Sequence, residues 1–148
     1  MSRSGYSEDL DQWALIRWRG AVASAMKGKR GQALLKEMEA ALLALPEKRL
    51  CVGWTNSADG EVCALGSVAL KRKMDAGKHR VDAMAKLERE FNEDVGADEV
   101  GGEFGIADAM AQEIAYVNDE QGPYNCTPEQ RYEFVLAWVR ENIAKAKS

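Results

Sequence analysis

Cysteine and histidine are scarce in this chain, which carries Cys51, Cys63, Cys126 and a single histidine, His79, in 148 residues. The simplest chemistry such a set could supply is a thiol nucleophile with an imidazole base, Cys63 or Cys126 attacking and His79 taking the proton. His79, however, follows Lys71-Arg72-Lys73 within the run Lys78-His79-Arg80, a basic stretch that reads as solvated and would draw a thiol partner to the surface. Zinc ligation has no paired spacing to work with, since no CxxC pair exists and only one histidine could join the three thiols. The glycines do not form the GxxxxGK[ST] phosphate cradle, and Gly101, Gly102 and Gly105 follow an acidic run that would repel phosphate. The residues therefore imply no catalytic constellation, no metal site and no cofactor.

Carboxylates are abundant instead. Residues 88–120 hold eleven of them against one cation, Arg89. A hydrolase built on two carboxyls needs them at fixed separation with one shielded from water, and acids strung around a glycine-rich loop do not suggest that. The run Asp94 to Gly101 also lacks the ligand order of a calcium loop. What these residues can do is present a field. Glu93, Asp94, Asp98, Glu99 and Glu103 are the candidate binding residues, an acidic surface suited to a partner with a basic face. The counterpart is the basic turn Lys27, Lys29 and Arg30, flanked by Arg17 and Arg19, which could contact phosphates. Nucleic acid is the less favoured partner, because the following helix exposes Gln32, Lys36, Glu37 and Glu39, and two carboxylates there would repel a phosphate backbone. The net charge of −4 thus conceals an asymmetry of +5 over residues 1–81 and −9 over residues 82–148.

The elements that must position these groups are mostly helical. Ser7, Glu8 and Asp9 suit a helix start, and Leu10, Ala14, Trp18, Ala21, Val22 and Ala25 share one face of a helix over 8–27. The segment 27–31 breaks the pattern. A second helix over 32–45 buries Leu34, Leu35, Met38, Ala41, Leu42 and Leu45 and stops at Pro46. Strand formers over 49–55, turn residues over 56–60 and Glu61-Val62-Cys63 predict a short β-hairpin. Helices follow over 63–73 and over 79–91, the latter with Val81, Met84, Leu87 or Glu88, and Phe91 at helical spacing. Residues 92–103 read as a polar loop and the only plausible hinge. A helix from near Gly105 carries Ile106, Met110, Ile114 and Val117. The last is announced by Thr127-Pro128-Glu129-Gln130, a capping box with proline at the first position, and buries Tyr132, Val135, Leu136, Val139 and Ile143. The expected fold is mostly α with a short β-hairpin (α+β), about six helices in a single domain spanning 1–148. A hydrophobic content of 46% is enough for a core and excludes a disordered tail protein. No run approaches the roughly 20 apolar residues of a membrane span, and no secretory h-region precedes the first acids, so a cytoplasmic protein without a membrane partner is expected.

The hairpin region, Trp54, Asp59-Gly60 and Cys63-Ala64-Leu65-Gly66, resembles a pattern found in small bacterial and phage proteins. Arg19 to Val22, Gly28 to Ala33, Pro46 to Leu50, Phe104-Gly105-Ile106, Glu113-Ile114 and Asn118-Asp119 extend the likeness over most of the chain to a family of small phage and prophage proteins. The resemblance carries a setting, the cytoplasm of a bacterial host, and no activity. With the acidic segment it leads to the expectation of a non-catalytic accessory protein that binds a host protein and inhibits a defence or nucleic-acid-handling complex. Nucleic-acid binding through the basic first half and a small cysteine-dependent enzyme are the alternatives.

Overall fold

A computed structural model describes residues 12–56, 58–123 and 125–147. Seven α-helices and one two-stranded hairpin occur among them: α1 (Gln12–Lys27), α2 (Lys29–Ala44), β1 (Thr55–Asn56), β2 (Glu61–Val62), α3 (Ala64–Asp75), α4 (Arg80–Glu90), α5 (Gly101–Phe104), α6 (Asp108–Asp119) and α7 (Pro128–Lys145). The fold is mostly helical with a short β-hairpin, as the periodicity predicts. Ser7 to Leu10, the expected opening of the first helix, lie outside the described residues.

The core is organised around α3, whose first seven residues, Ala64 to Leu70, are all buried. Helix α2 packs on α3 and α7, α1 on α2 and α6, and α4 on α3. The α2 face is the one its spacing predicts, with Leu35, Met38 and Leu42 at 0% exposure. Two apolar positions fall outside the core. Val81 is 79% exposed at the start of α4, and Ala21 is exposed on α1, whose predicted face otherwise holds, with Val22 buried, Trp18 and Ala25 packed against the core and Met26 added to it.

Helix α2 begins at Lys29, three residues before the predicted start, so the break after α1 is Gly28 alone. Gly31 is not a breaker: a Cβ there would lie 1.9 Å from the Ala25 carbonyl oxygen, and its hydrogen is what lets α2 cross α1 so closely. Gln32 locks the corner by donating from Nε2 to the Met26 carbonyl at 2.7 Å, where the last turn of α1 has carbonyls without helical partners. A second contact, 3.3 Å to the Asn142 carbonyl, ties the corner to α7. The side chain predicted to face solvent is thus half-buried and engaged.

The strands are shorter than predicted, with Thr55 opposite Val62 and Asn56 opposite Glu61. Residues 49–54 lie outside them although Cys51 N–H donates to the Val62 carbonyl and the Trp54 carbonyl accepts from Cys63 N–H, because neighbouring backbone groups bond elsewhere. Leu50 N–H donates to the Pro128 carbonyl at the start of α7, and the Cys51 carbonyl accepts from the Asn118 side chain. At the other end of the chain, Thr127 Oγ1 and Gln130 Oε1 form the predicted capping box of α7. No helix among the described residues is long and apolar enough to cross a membrane.

Candidate functional site: an acidic platform beside a paired charge network

Residues 92–103 are not a featureless loop. Ala97–Glu99 forms a 3-10 turn and Gly101 opens α5. The backbone follows from a buried underside: Ala97 is fully buried, Val100 and Phe104 nearly so, and Trp54 Nε1 donates to the Val95 carbonyl at 2.9 Å. Rings extend the support, with Phe91 4.8 Å from Trp54 and 5.9 Å from Phe104 between centroids. Asp108 accepts from Gly101 N–H at 2.9 Å, so this carboxylate serves the start of α5. With the apolar residues turned inward, Glu93, Asp94, Asp98, Glu99 and Glu103 are all left exposed. Among the described residues, none of these five carboxylates has a cation within ion-pair distance.

Four of the five cations of the second basic stretch are used internally, Lys78 being exposed. Arg72 forks onto Glu37 with two 2.7 Å hydrogen bonds, donates to the Glu103 carbonyl at 2.9 Å, and lies over the Phe104 ring. Lys73 reaches Glu90 at 2.9 Å, Lys71 reaches Asp75 at 2.7 Å, and Arg80 donates to the Gly60 carbonyl at 3.0 Å. Arg140 binds Glu39 at 3.0 Å. The basic turn is different: Lys27, Lys29 and Arg30 are exposed and make no ion pair among the described residues, and the same is true of Arg17 and Arg19.

The hydrogen bonds from Arg72 hold the Glu37 carboxyl below the usual carboxylate range, against the opposing effect of burial. A lowered folded-state value means that the pair contributes stability above the unfolded carboxyl value of about 4.3, and that this is lost as pH falls through the folded value. Glu37→Gln should therefore lower the urea midpoint at pH 7 and converge on wild type as the pH falls through the folded value. The difference should stay within about 1 kcal/mol, as for other ion pairs open to solvent. A constant difference from pH 7 to pH 3 would show that the fork contributes nothing through its charge.

One charged group escaped the sequence reading. Glu61 on β2 is only 6% exposed, with Oε2 3.4 Å from Arg49 Nε, and that same nitrogen lies 3.0 Å from Glu129 Oε1. The contacts are ionic, because neither Arg49 Nε nor Glu61 Oε2 meets hydrogen-bond geometry. Arg49, Arg80, Glu61 and Asp59 line a depression of about 160 Å³ beside Pro46. Charges of both signs line it. No spacing rule links positions 49, 61 and 129, which is why this cluster is invisible before folding.

The candidate nucleophiles have structural settings. Cys63 is fully buried as the N-cap of α3, its sulfur accepting from Gly66 N–H at 3.2 Å, while Cys126 is half-buried and His79 is exposed at the start of α4. Among the described residues no group of three or more His, Cys, Asp or Glu side chains is gathered so that it could hold a metal ion. No family model, curated protein or solved structure matches the chain.

Proposed function

We propose that this chain is a non-catalytic binding protein whose acidic platform, Glu93, Asp94, Asp98, Glu99 and Glu103, engages a partner protein with a basic face. The observation that carries this reading is a contrast. Glu37, Glu39, Glu61, Asp75, Glu90 and Glu129 are matched to arginines or lysines of the same chain, whereas among the described residues the five platform carboxylates form no ion pair, Glu103 alone acting on Arg72 at longer range. Unmatched charge of one sign on a supported backbone raises the local concentration of an oppositely charged partner and suppresses partners of like sign. The setting comes from the phage resemblance of the residues: the partner is a bacterial host protein, and a basic groove that ordinarily receives nucleic acid is the surface such a platform would occlude. Occupying it would inhibit a defence or nucleic-acid-handling complex. The use of the Cys63 sulfur as a helix cap supports the non-catalytic part of the reading.

The test is zero-length carbodiimide coupling in bacterial lysate, which joins carboxylates to partner lysines, with mapping of the joined peptides. Wild type should couple to one dominant partner through residues 93–103. The combined variant Glu93→Gln, Asp94→Asn, Asp98→Asn, Glu99→Gln and Glu103→Gln should lose at least tenfold of that product. Its stability should change by no more than about 0.5 kcal/mol, because the side chains are on the surface. Equal coupling by both proteins would reject the platform as the binding surface.

A further inference from the structure

We infer that the α1–α2 hairpin is a second, independent binding surface, which takes single-stranded nucleic acid through its phosphates and one stacked base. Residues 12–45 contain six cations, Arg17, Arg19, Lys27, Lys29, Arg30 and Lys36, and two carboxylates, Glu37 and Glu39. In the sequence those two acids argue against phosphate contact. The fold removes that objection, because Arg72 from α3 takes Glu37 and Arg140 from α7 takes Glu39. All six cations are exposed, and among the described residues none has an ion-pair partner. Of the five cations at 71–80, four are committed to Asp75, Glu37, Glu90 and the Gly60 carbonyl, and among the described residues Lys78 alone of them is exposed without an ion pair. The basic surface is therefore the hairpin and not the whole first half of the chain.

The apolar residues that precede these charges on α1 point to the kind of nucleic acid. Trp13 is 72% exposed and Ile16 53%, both on the solvent side of α1 opposite the buried Val22 and Met26. Gly20, four residues from Ser24 on that side, has open space above it. On α2, Lys29 and Lys36 stand two turns apart with exposed Ala33 between them. Small residues between cations let a phosphate chain lie close, and an exposed indole supplies a π-face on which an unpaired base can stack. A duplex offers no such base. Reading a duplex also needs polar side chains directed from the helix into a groove, and the glutamine of α2 that could do this, Gln32, is engaged with the Met26 and Asn142 carbonyls. Binding should accordingly be indifferent to sequence and steeply dependent on salt.

The experiment uses the full chain and a fluorescein-labelled thymidine 15-mer, followed by anisotropy from 20 to 200 mM salt. Six phosphate contacts on a single strand give a slope of log K against log salt of about −4, a loss of roughly 300-fold between 50 and 200 mM. The combined variant Lys27→Ala, Lys29→Ala and Arg30→Ala should halve that slope, and Trp13→Ala should weaken binding about tenfold while Trp13→Phe largely restores it. These positions are on the surface, so unchanged circular dichroism confirms that each variant is folded. Absence of binding at 20 mM salt, or an unchanged slope in the triple variant, overturns the proposal. Equal affinity for a 15-base-pair duplex overturns the single strand as occupant, and equally strong displacement by polyglutamate of matched charge overturns nucleic acid altogether. Neutralising the five platform carboxylates should leave this binding intact or strengthen it, so the two surfaces are tested separately.

Discussion

Trp54→Ala should lower stability by about 3–5 kcal/mol, the range for deleting a buried aromatic side chain, and should do so by loosening the acidic platform from the core. Trp54 is 4% exposed and joins three parts of the chain. Its ring packs on Phe91 at the end of α4, its indole N–H serves the Val95 carbonyl, and its own carbonyl accepts from Cys63 N–H at the cap of α3. Truncation opens a cavity among rings that belong to different elements, and it leaves the Val95 carbonyl without its donor. Against a total stability of roughly 5–15 kcal/mol for a domain, that is a large fraction, equivalent to a drop in Tm of roughly 10 °C. Trp54→Phe separates the contributions: it keeps most of the packing, loses the donor, and should cost about 1–3 kcal/mol. Hydrogen exchange supplies the local readout. In Trp54→Ala the amides of residues 95–104 should exchange faster relative to those of α7 than they do in wild type; a uniform change across the chain would refute the specific tie between hairpin and platform.

That tie also marks the limit of what is legible without the fold. Helices α2, α4, α6 and α7 are readable from apolar spacing, and the start of α7 from Thr127 and Gln130, because those signals are local. The five platform carboxylates are readable as exposed for the same reason. The support beneath them is not: Val95, Ala97 and Val100 are too few and too irregularly spaced to signal burial, the turn at 97–99 packs on α6 and α5, and the Val95 carbonyl is held by Trp54. The hairpin strands fail in the opposite direction. Arg49 to Trp54 has the composition of a strand, and Cys51 N–H and the Trp54 carbonyl still bond to Val62 and Cys63, but tertiary bonds to Pro128 and Asn118 take the Leu50 N–H and the Cys51 carbonyl. Glycine misleads once, at Gly31, where close approach and not a turn is the reason for it.

Charge shows the same division. The asymmetry between the two halves of the chain is arithmetic on the sequence, yet which charges remain available depends on pairs far apart in it. Arg72 meets Glu37 across 35 positions and Arg140 meets Glu39 across 101. These two pairs convert the hairpin from a surface of mixed sign to one of positive sign. Lys73 with Glu90 and Arg72 with the Glu103 backbone bring part of the basic stretch onto the acidic segment, where Arg72 also feels the Glu103 charge without forming an ion pair with it. The sequence dipole is thus partly cancelled within the fold and partly kept, as five negative groups on the platform and six positive groups on the hairpin.

Asn118→Ala should cost about 3 kcal/mol although it removes only a small side chain, because it strands two buried backbone groups at once. Helix α3 starts inside the core, where water cannot serve its first amides. Cys63 sulfur takes Gly66 N–H, and Asn118 Oδ1 takes Ala64 N–H at 3.0 Å. The same amide donates from Nδ2 to the Cys51 carbonyl at 3.0 Å and to Asp119 Oδ1 at 2.7 Å, while the Asn118 carbonyl accepts from Arg131. One residue, 2% exposed, therefore links the entry to the hairpin, the start of α3, the end of α6 and the first turns of α7. Asn118→Asp is the sharper probe, since it keeps the acceptor for Ala64 but replaces the donor with an oxygen facing the Cys51 carbonyl and the Asp119 carboxylate. Burial and that neighbouring charge raise the folded-state pKa of the introduced carboxyl above its unfolded value. The variant should then be closest to wild type below about pH 4 and lose stability as pH rises through the folded value, the reverse of the Glu37 dependence. Urea midpoints at pH 4, 6 and 8 measure it. If Asn118→Ala falls within about 0.5 kcal/mol of wild type, or Asn118→Asp shows no loss between pH 4 and pH 8, the side chain is not what satisfies the start of α3.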